Sequence, residues 1–137
     1  MAHWSSQFEK MGYVMNDLNA LPKKYPSLFK NESFYFECGN GWYNLIDILC
    51  RQIEFRGLRG SVPDPDFDVK ITQVKEKFGG LRFYCEGADD NIYGMIDMAE
   101  AMSIRICEEC GNPGKLMKSN TGWLHTACDE HKTRRDK

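Results

Sequence analysis

Two short pairs of metal-ligating residue types near the C-terminus are the residues most able to do chemistry in this sequence. Cys107 and Cys110 stand in the run C-E-E-C-G, and Cys128 and His131 stand in C-D-E-H after seventeen intervening residues. Two residues within each pair let a tight turn aim both side chains at one tetrahedral zinc ion. Because four protein ligands leave no position for water, this spacing predicts one structural Zn²⁺ per chain rather than a catalytic metal.

Three alternatives to this ligand set remain open in the sequence. The cysteines could form disulfides, but there is no positively charged start followed by an apolar run, so we expect no export to an oxidising compartment. They could be core residues, but Gly111, Pro113 and Gly114 favour a chain that turns sharply around a metal. His125 could replace His131 as the fourth ligand, although on a strand its side chain would point away from the turn.

The other reactive residue types form no recognisable catalytic set. His3 and His125 have no Asp or Ser partner at a spacing typical of a reaction, and Cys50 and Cys85 lack an electropositive setting. A metal-dependent nuclease would need a general-base histidine and an open metal position. We therefore expect a protein that is not an enzyme, and keep a metal-dependent nuclease as the second alternative.

Length and composition predict a globular, soluble chain. It has 137 residues, 42% of them hydrophobic, and no apolar run near the roughly 20 residues that span a bilayer, so no membrane partner is expected. The formal charge of -2 does not favour a general nucleic-acid binder, which needs a surplus of Lys and Arg. The basic C-terminal end, with Lys132, Arg134 and Arg135, is interpreted as a solvated tail.

The first predicted helix covers residues 4–21. Its apolar side chains recur at steps of three and four, as one face of an amphipathic helix requires. They are Trp4, Phe8, Met11, Met15 and Leu18. Pro22 and Pro26 are expected to end this helix because proline interrupts the hydrogen bonds of a helix interior.

Residues 34–36, Phe-Tyr-Phe, predict a short extended run. A second helix is expected over residues 42–56, where apolar side chains repeat at helical spacing and Asn40 is placed to cap the start. Cys50 belongs to the buried side of this helix, since free cysteine is usually a core residue. Cys38 has no evident role in this pattern.

Residues 57–68 favour a loop, because two glycines and two prolines interrupt any regular element. Its acidic side chains are Asp64, Asp66 and Asp68. A calcium loop would then need glycine at position 69 and an acid at position 75, where this chain has Val69 and Lys75. The pattern favours a solvated acidic loop over a metal site.

A β-hairpin is predicted next, from the extended runs at residues 69–77 and 81–86. They are joined at Phe78-Gly79-Gly80, where Gly79 and Gly80 would supply the positive φ of a tight turn. The side chains expected on its buried face are Leu81, Phe83 and Cys85.

A third helix is expected after Asp89 and Asp90, which can cap its start. Its buried stripe consists of Ile92, Ile96, Ala99 and either Met102 or Ser103. This helix leads the chain directly to Cys107.

Between the two ligand pairs, residues 115–117 and 123–126 can form a second hairpin, and the second pair fits the first turn of a terminal helix. A ligand turn, a hairpin and a helix in that order is typical of a treble-clef zinc finger. The predicted fold is α+β, with helices packed on a small antiparallel hairpin and this finger at the C-terminus. We expect an α+β body over residues 1–106 and the finger over residues 107–137, packed as one compact unit.

The chain contains the runs F-E-C-G-N-G-W-Y-N-L-I, V-K-E-K-F-G-G-L-R-F-Y and M-A-E-A-M-S-I-R-I-C-E-E-C-G-N-P-G. Together they resemble a family of small proteins of bacteriophages and prophages. The resemblance covers residues 36–114 and continues more weakly through Cys128 and His131, whereas residues 4–21 lie outside it. It implies phage origin and a location in the cytoplasm of the bacterial host more than it implies an activity.

This resemblance implies a protein that acts on host machinery. Inhibitors of bacterial defence, including anti-CRISPR proteins that block a CRISPR-Cas effector, are one such group. We therefore expect a zinc-stabilised protein that binds and blocks a host protein, with the acidic section over residues 64–100 suited to a basic partner groove. The alternative is a nucleic-acid-binding zinc-finger protein of phage transcription or DNA metabolism, in which Phe78, Arg82 and Tyr84 would stack unpaired bases.

Overall fold

The computed structural model describes residues 17–136. Along the chain, the regular elements are α1 (Leu21–Lys24), α2 (Tyr43–Arg56), β1 (Leu58–Arg59), β2 (Val62–Pro63), β3 (Lys70–Lys77), β4 (Gly80–Glu86), α3 (Asp90–Ser103), β5 (Lys115–Lys118) and β6 (Leu124–Ala127). The strands form three antiparallel pairs, β1–β2, β3–β4 and β5–β6. The fold is therefore α+β, as the sequence predicts. No helix within residues 17–136 is long and apolar enough to cross a membrane.

Most of the first predicted helix, residues 4–16 with its Trp4 end, lies outside the described residues. Leu18, the last member of that stripe, is buried in a 3₁₀ turn whose start is capped by the Asp17 carboxylate. α1 then begins at Leu21 with Pro22 in its first turn. The prediction that Pro22 ends a helix is wrong, because a proline in the first turn removes no helical hydrogen bond.

α2 is the predicted second helix, and its apolar face is buried. Its buried side chains are Ile46, Leu49, Cys50 and Ile53. Trp42, just before the helix, is also fully buried, and its indole N–H donates to the Ile106 carbonyl (2.9 Å). The prediction that Asn40 caps α2 is wrong: its side-chain oxygen accepts the Leu18 N–H (3.0 Å), and α2 follows a 3₁₀ turn with no side-chain cap. Asn40 thus joins the N-terminal segment to the start of α2.

Residues 34–36 are not part of a strand. The rings of Phe34 and Phe36 pack edge to face with centroids 5.0 Å apart, and both contact Phe29. Pairing with the hairpin begins one residue later, where the Glu37 N–H donates to the Val74 carbonyl (2.9 Å). The aromatic run therefore covers the core beside β3 instead of extending the sheet.

The predicted loop over residues 57–68 contains the two-residue strands β1 and β2. Its acids make ion pairs at the surface. Arg59 Nε lies 3.1 Å from Asp64 Oδ2, and Asp68 contacts Lys30. Such exposed pairs each contribute about 0 to 1 kcal/mol.

β3 and β4 form the predicted hairpin, but the turn lies one residue earlier than expected. Lys77 pairs with Gly80, which leaves Phe78 and Gly79 as a two-residue turn. Both have positive φ, 53° and 85°, as a type I′ turn requires. Gly80 belongs to β4, so its assignment to the turn was wrong.

Replacing Gly79 by valine is expected to lower the free energy of unfolding by more than about 1 kcal/mol. The left-handed φ strains any β-branched residue, and a Cβ there would also collide with the Leu116 side chain and lie 3.2 Å from the His125 backbone. Gly60→Val is the matched control, because Gly60 has a φ of 66° but no neighbouring atom within 4 Å of its Cβ position. Urea unfolding of both variants should show the larger loss at Gly79; equal losses would contradict a packing role for this turn.

α3 is the predicted third helix, and Asp89 caps it by accepting a backbone N–H of its first turn (2.9 Å). Its buried side chains are Ile92, Ile96, Ala99 and Ser103. The open choice between Met102 and Ser103 is settled in favour of Ser103. Its hydroxyl accepts the Leu81 N–H (2.9 Å) and donates to the Glu100 carbonyl (2.6 Å), which ties α3 to β4.

One apolar core joins the N-terminal segment, α2, α3 and the β3–β4 hairpin. On β4 the predicted inward face is confirmed: Leu81 and Phe83 are buried, and Cys85 is half-buried against the same core. No described residue after Ile106 belongs to this cluster. The C-terminal segment must therefore be held in place by other interactions.

Candidate metal centre

The predicted metal ligands lie in two turns that the fold brings together. Cys107 and Cys110 lie in the turn after α3, while Cys128 directly follows β6 and His131 comes three residues later. β5 and β6 form the predicted hairpin between the pairs, and β6 returns the chain to the first turn. One ligand atom from each residue lies within 4.8 Å of the others. This Cys₃His cluster could hold a metal ion.

The first ligand turn is closed by backbone hydrogen bonds. The Gly111 N–H donates to the Cys107 carbonyl (2.9 Å), and the Cys107 N–H donates to the Asn112 carbonyl (2.8 Å). Gly111 has a φ of 83°, which glycine adopts without strain. The glycine after the first cysteine pair is therefore needed to fold the chain back around the ligands.

The separations between ligand atoms fit a tetrahedral metal site. Cys110 Sγ lies 3.7 Å from Cys128 Sγ, and His131 Nδ1 lies 3.2 Å from Cys128 Sγ and 3.6 Å from Cys107 Sγ. Zinc–sulfur bonds of about 2.3 Å at tetrahedral angles place two sulfurs about 3.8 Å apart. A disulfide would need about 2.05 Å. The sulfurs are thus spaced for a shared ion rather than for a bond to each other.

The side-chain pKa values of the ligands are shifted in different directions. Burial alone would raise the pKa of Cys107, but backbone N–H groups of Cys128, Cys110 and Glu109 outweigh it and lower this pKa to about 6. Burial raises the pKa of Cys110 to about 11, and the neighbouring sulfurs add to the rise. Contacts with Cys128 and Cys107 raise the pKa of His131. A metal takes thiolates and neutral imidazole, so its binding would release the protons held here.

The predicted terminal helix is absent from residues 128–136, where the chain makes successive turns instead. The His131 N–H donates to the Cys128 carbonyl (3.1 Å), which keeps the second ligand pair in one turn. Beyond it the segment bonds to the β5–β6 connection, where the Thr121 hydroxyl donates to the Arg135 carbonyl (2.8 Å). The segment is held by this contact together with turn hydrogen bonds of its own, such as the one from the Arg134 N–H to the His131 carbonyl (3.2 Å).

Glu108, between the first two ligands, ties three segments together. It is buried, and its carboxylate accepts the Gly39 N–H (2.9 Å) and pairs with the Arg134 guanidinium (2.8 Å). Its carbonyl accepts the Gly41 N–H (2.7 Å). A Cβ at Gly41 would collide with the carbonyls of Cys107 and Glu108, so glycine is required at this contact. Sequence reasoning missed Glu108, because a glutamate in a charged run resembles a solvated residue.

His125, the alternative fourth ligand, is not part of the cluster. It lies on β6, fully buried, and neither ring nitrogen has a hydrogen-bond partner among the described residues. Burial lowers its pKa, and the nearby Arg134 adds to the shift. His125 therefore does not replace His131 in the cluster.

The other three cysteines also lie outside the cluster. Cys50 is buried in the core as predicted, and Cys85 is half-buried against it. Cys38, which the sequence left unassigned, packs against the same core, and burial followed by the charge of Glu108 raises its pKa to about 12. These thiols are held protonated and serve packing.

Fold and site together define an α+β protein with a C-terminal Cys₃His cluster that could hold a metal ion. Comparisons with protein-family models, with curated proteins and with solved structures found no match. What the protein does is therefore inferred from the cluster and from the exposed surfaces around it.

Proposed function

We propose that the Cys₃His cluster holds one structural Zn²⁺ per chain. The observation that carries this proposal is the approach of four protein ligand atoms to within 4.8 Å of one another. Thiolates and imidazole are the donors that zinc prefers, whereas Mg²⁺ and Ca²⁺ prefer oxygen. When bound, zinc would supply four coordinate bonds with no position open for water, so it would support the fold instead of catalysing a reaction.

We further propose that the protein is not an enzyme and acts by binding. In this proposal it is a phage accessory protein that binds and blocks a host protein in the host cytoplasm. A CRISPR-Cas effector is an example of such a host protein. The resemblance of residues 36–114 to phage proteins supports this setting. An exposed apolar groove on the body supports binding to another protein.

That groove lies between α2 and α3 and has a volume of about 350 Å³. Its exposed side chains include Ile48, Met98 and Met102. Exposed apolar patches mark interaction sites, and methionine side chains adapt to the shape of a partner. A groove between two helices fits the apolar face of a partner helix.

The acidic section over residues 64–100 is a weaker candidate for this partner surface. Asp64 is ion-paired with Arg59, and Asp89 both caps α3 and lies 3.2 Å from Arg56. Charges compensated within the chain attract a basic partner less. Reversing Asp89 would also remove a helix cap, so its effect on binding could not be separated from stability.

Affinity capture from host lysate tests the protein-binding proposal. We expect the zinc-loaded chain to retain a host protein after nuclease treatment, and Met98→Asp to lose it. Val62→Asp is the matched control, since Val62 is 65% exposed against 64% for Met98 but lies in β2, outside the groove. Equal capture by both variants would exclude the groove as the binding surface. Capture that disappears with nuclease would exclude direct binding to protein.

Inhibition of the captured host protein is expected to be stoichiometric, because a blocking protein is consumed by binding. At concentrations well above Kd, activity of the host protein should fall linearly and reach its minimum at equimolar amounts. An activity titration against increasing amounts of this protein measures the end point. Full inhibition when this protein is present at a small fraction of the molar concentration of the host protein would show turnover and would favour an enzyme.

A further inference from the structure

A second exposed apolar surface lies where the β3–β4 turn meets the β5–β6 hairpin. It is a groove of about 730 Å³ that is lined by Phe78 and Trp123, one aromatic side chain from each hairpin. These side chains are 66% and 62% exposed. Two large aromatic side chains left in solvent on one groove are typical of an interaction site.

The backbone at Phe78 gives an independent reason to assign this ring a function. Phe78 has a φ of 53°, a left-handed conformation that asparagine and glycine adopt more readily than an aromatic residue. The ring is exposed, so burial does not offset this strain. Strained backbone positions cluster at functional sites.

Trp123 is held on a structured turn. Its backbone N–H donates to the Ser119 hydroxyl (3.0 Å), and its backbone carbonyl accepts the Ser119 N–H (2.8 Å). The two aromatic side chains are therefore presented by backbone that is already ordered, which lowers the entropy lost when a ligand binds.

The charge on this groove is positive, although the chain carries a formal charge of -2. Lys77 and Lys118 both line it. Its acid, Glu76, is engaged within the protein: one carboxylate oxygen accepts the Gly79 N–H (2.7 Å), and the other lies 4.0 Å from the Arg135 guanidinium. Lys77 Nζ lies 5.6 Å from the centroid of the Phe78 ring, so this cation is already placed beside the stacking face. The positive charges of Lys77 and Lys118 can attract an anion.

We propose that this groove binds single-stranded nucleic acid, with bases stacked on Phe78 and Trp123 and phosphates near Lys77 and Lys118. Aromatic side chains beside lysines are the combination that single-strand-binding grooves use, because every base has a face to stack. A protein partner is less suited to it, since lysine is depleted at the centres of protein interfaces. The inference goes beyond the proposed function and does not depend on it, because the α2–α3 groove is a separate surface.

This site differs from the stacking surface that the sequence offered. Of Phe78, Arg82 and Tyr84, only Phe78 lines the groove. The Arg82 guanidinium donates to the Leu81 carbonyl (2.9 Å). The second stacking residue is Trp123, which lies in the β5–β6 hairpin, far from Phe78 in the sequence.

Fluorescence anisotropy with a labelled 12-nucleotide oligothymidylate tests the proposal on the zinc-loaded full chain. We expect saturable binding at low salt, and an abasic strand with the same number of phosphates should bind at least about fivefold more weakly because it cannot stack. Equal affinity for both strands would overturn the proposal. So would the lack of binding at about 10⁻⁴ M protein, the weak limit of nonspecific DNA binding.

Variants separate stacking from folding. Phe78→Asn should weaken binding of the oligothymidylate about tenfold while leaving Tm unchanged or higher, because asparagine fits the turn better. Trp123→Ala should weaken binding similarly. Phe55→Ala is the control, since Phe55 is also 66% exposed but does not line the groove. If Phe78→Asn binds the strand as wild type does, the proposal is wrong.

The lysines are tested by salt dependence. Each phosphate contact to a single strand contributes about 0.7 to the slope of log affinity against log salt. Lys77→Gln with Lys118→Gln should therefore reduce that slope by about 1.4. An unchanged slope would contradict the phosphate contacts. A different result would assign this groove to a protein partner and overturn the proposal. In that case the wild-type protein would not bind the oligothymidylate, and Phe78→Asn would fail to capture the host protein.

Discussion

Removing the proposed zinc is expected to unfold the C-terminal segment while the body stays folded. Structural zinc contributes about 10 to 16 kcal/mol of apparent binding free energy in zinc-finger peptides. No described residue after Ile106 belongs to the apolar core, whereas α2 and α3 pack on a core of their own. We therefore expect β5 and β6 to need the metal in addition to the hydrogen bonds that Glu108 makes with Gly39 and Gly41. Hydrogen exchange with and without a chelator should show amides of β5 and β6 losing protection and those of α2 keeping it.

Cysteine variants give the same test without a chelator. Cys107→Ser should lose the zinc and the protection of β5 and β6, while Cys85→Ser, a cysteine outside the cluster, should keep one zinc per chain. Metal analysis that finds no zinc in the wild-type protein, or full zinc in Cys107→Ser, would contradict the assignment. Loss of α2 protection at the same time would show that the predicted body and finger unfold as one unit, with the hydrogen bond from the Gly39 N–H to the Glu108 carboxylate as one link between them.

The features that the sequence predicted correctly are those fixed by local spacing. The two ligand pairs were recognisable because two intervening residues suffice to bring each pair together. α2 and α3 were predictable because their apolar side chains repeat with the helical period, as from Ile46 to Ile53. Such patterns need no knowledge of distant contacts.

The features that the sequence did not predict depend on distant contacts. The turn was assigned to Gly79 and Gly80 on composition, but the register of the hairpin places Phe78 at a positive φ. Asn40 resembled a helix cap, yet it bonds to Leu18, which is twenty-two residues earlier in the chain. The groove beneath Trp123 exists only because two hairpins meet, so no local pattern indicates it.

Glu108→Ala is expected to lower the free energy of unfolding of the zinc-loaded protein by about 1 to 3 kcal/mol. The substitution leaves the Gly39 N–H without an acceptor, and it leaves the Arg134 guanidinium, whose side chain is 21% exposed, with only the exposed Glu109 as a partner. A partly buried charge that keeps only an exposed partner retains part of the cost of its lost hydration. Urea unfolding at constant zinc measures the change.

Glu109→Ala is the matched control, because Glu109 pairs with the same Arg134 at 3.0 Å but its side chain is 49% exposed against 4% for Glu108. A solvated pair contributes about 0 to 1 kcal/mol, so this variant should unfold almost as the wild type does. Adding Arg134→Met to Glu108→Ala should restore part of the lost stability, since it removes a partly buried charge that would otherwise keep only the exposed Glu109 as a partner. Equal losses for the two glutamates, or no recovery in the double variant, would show that the buried ion pair does not hold the ligand turn to the C-terminal segment.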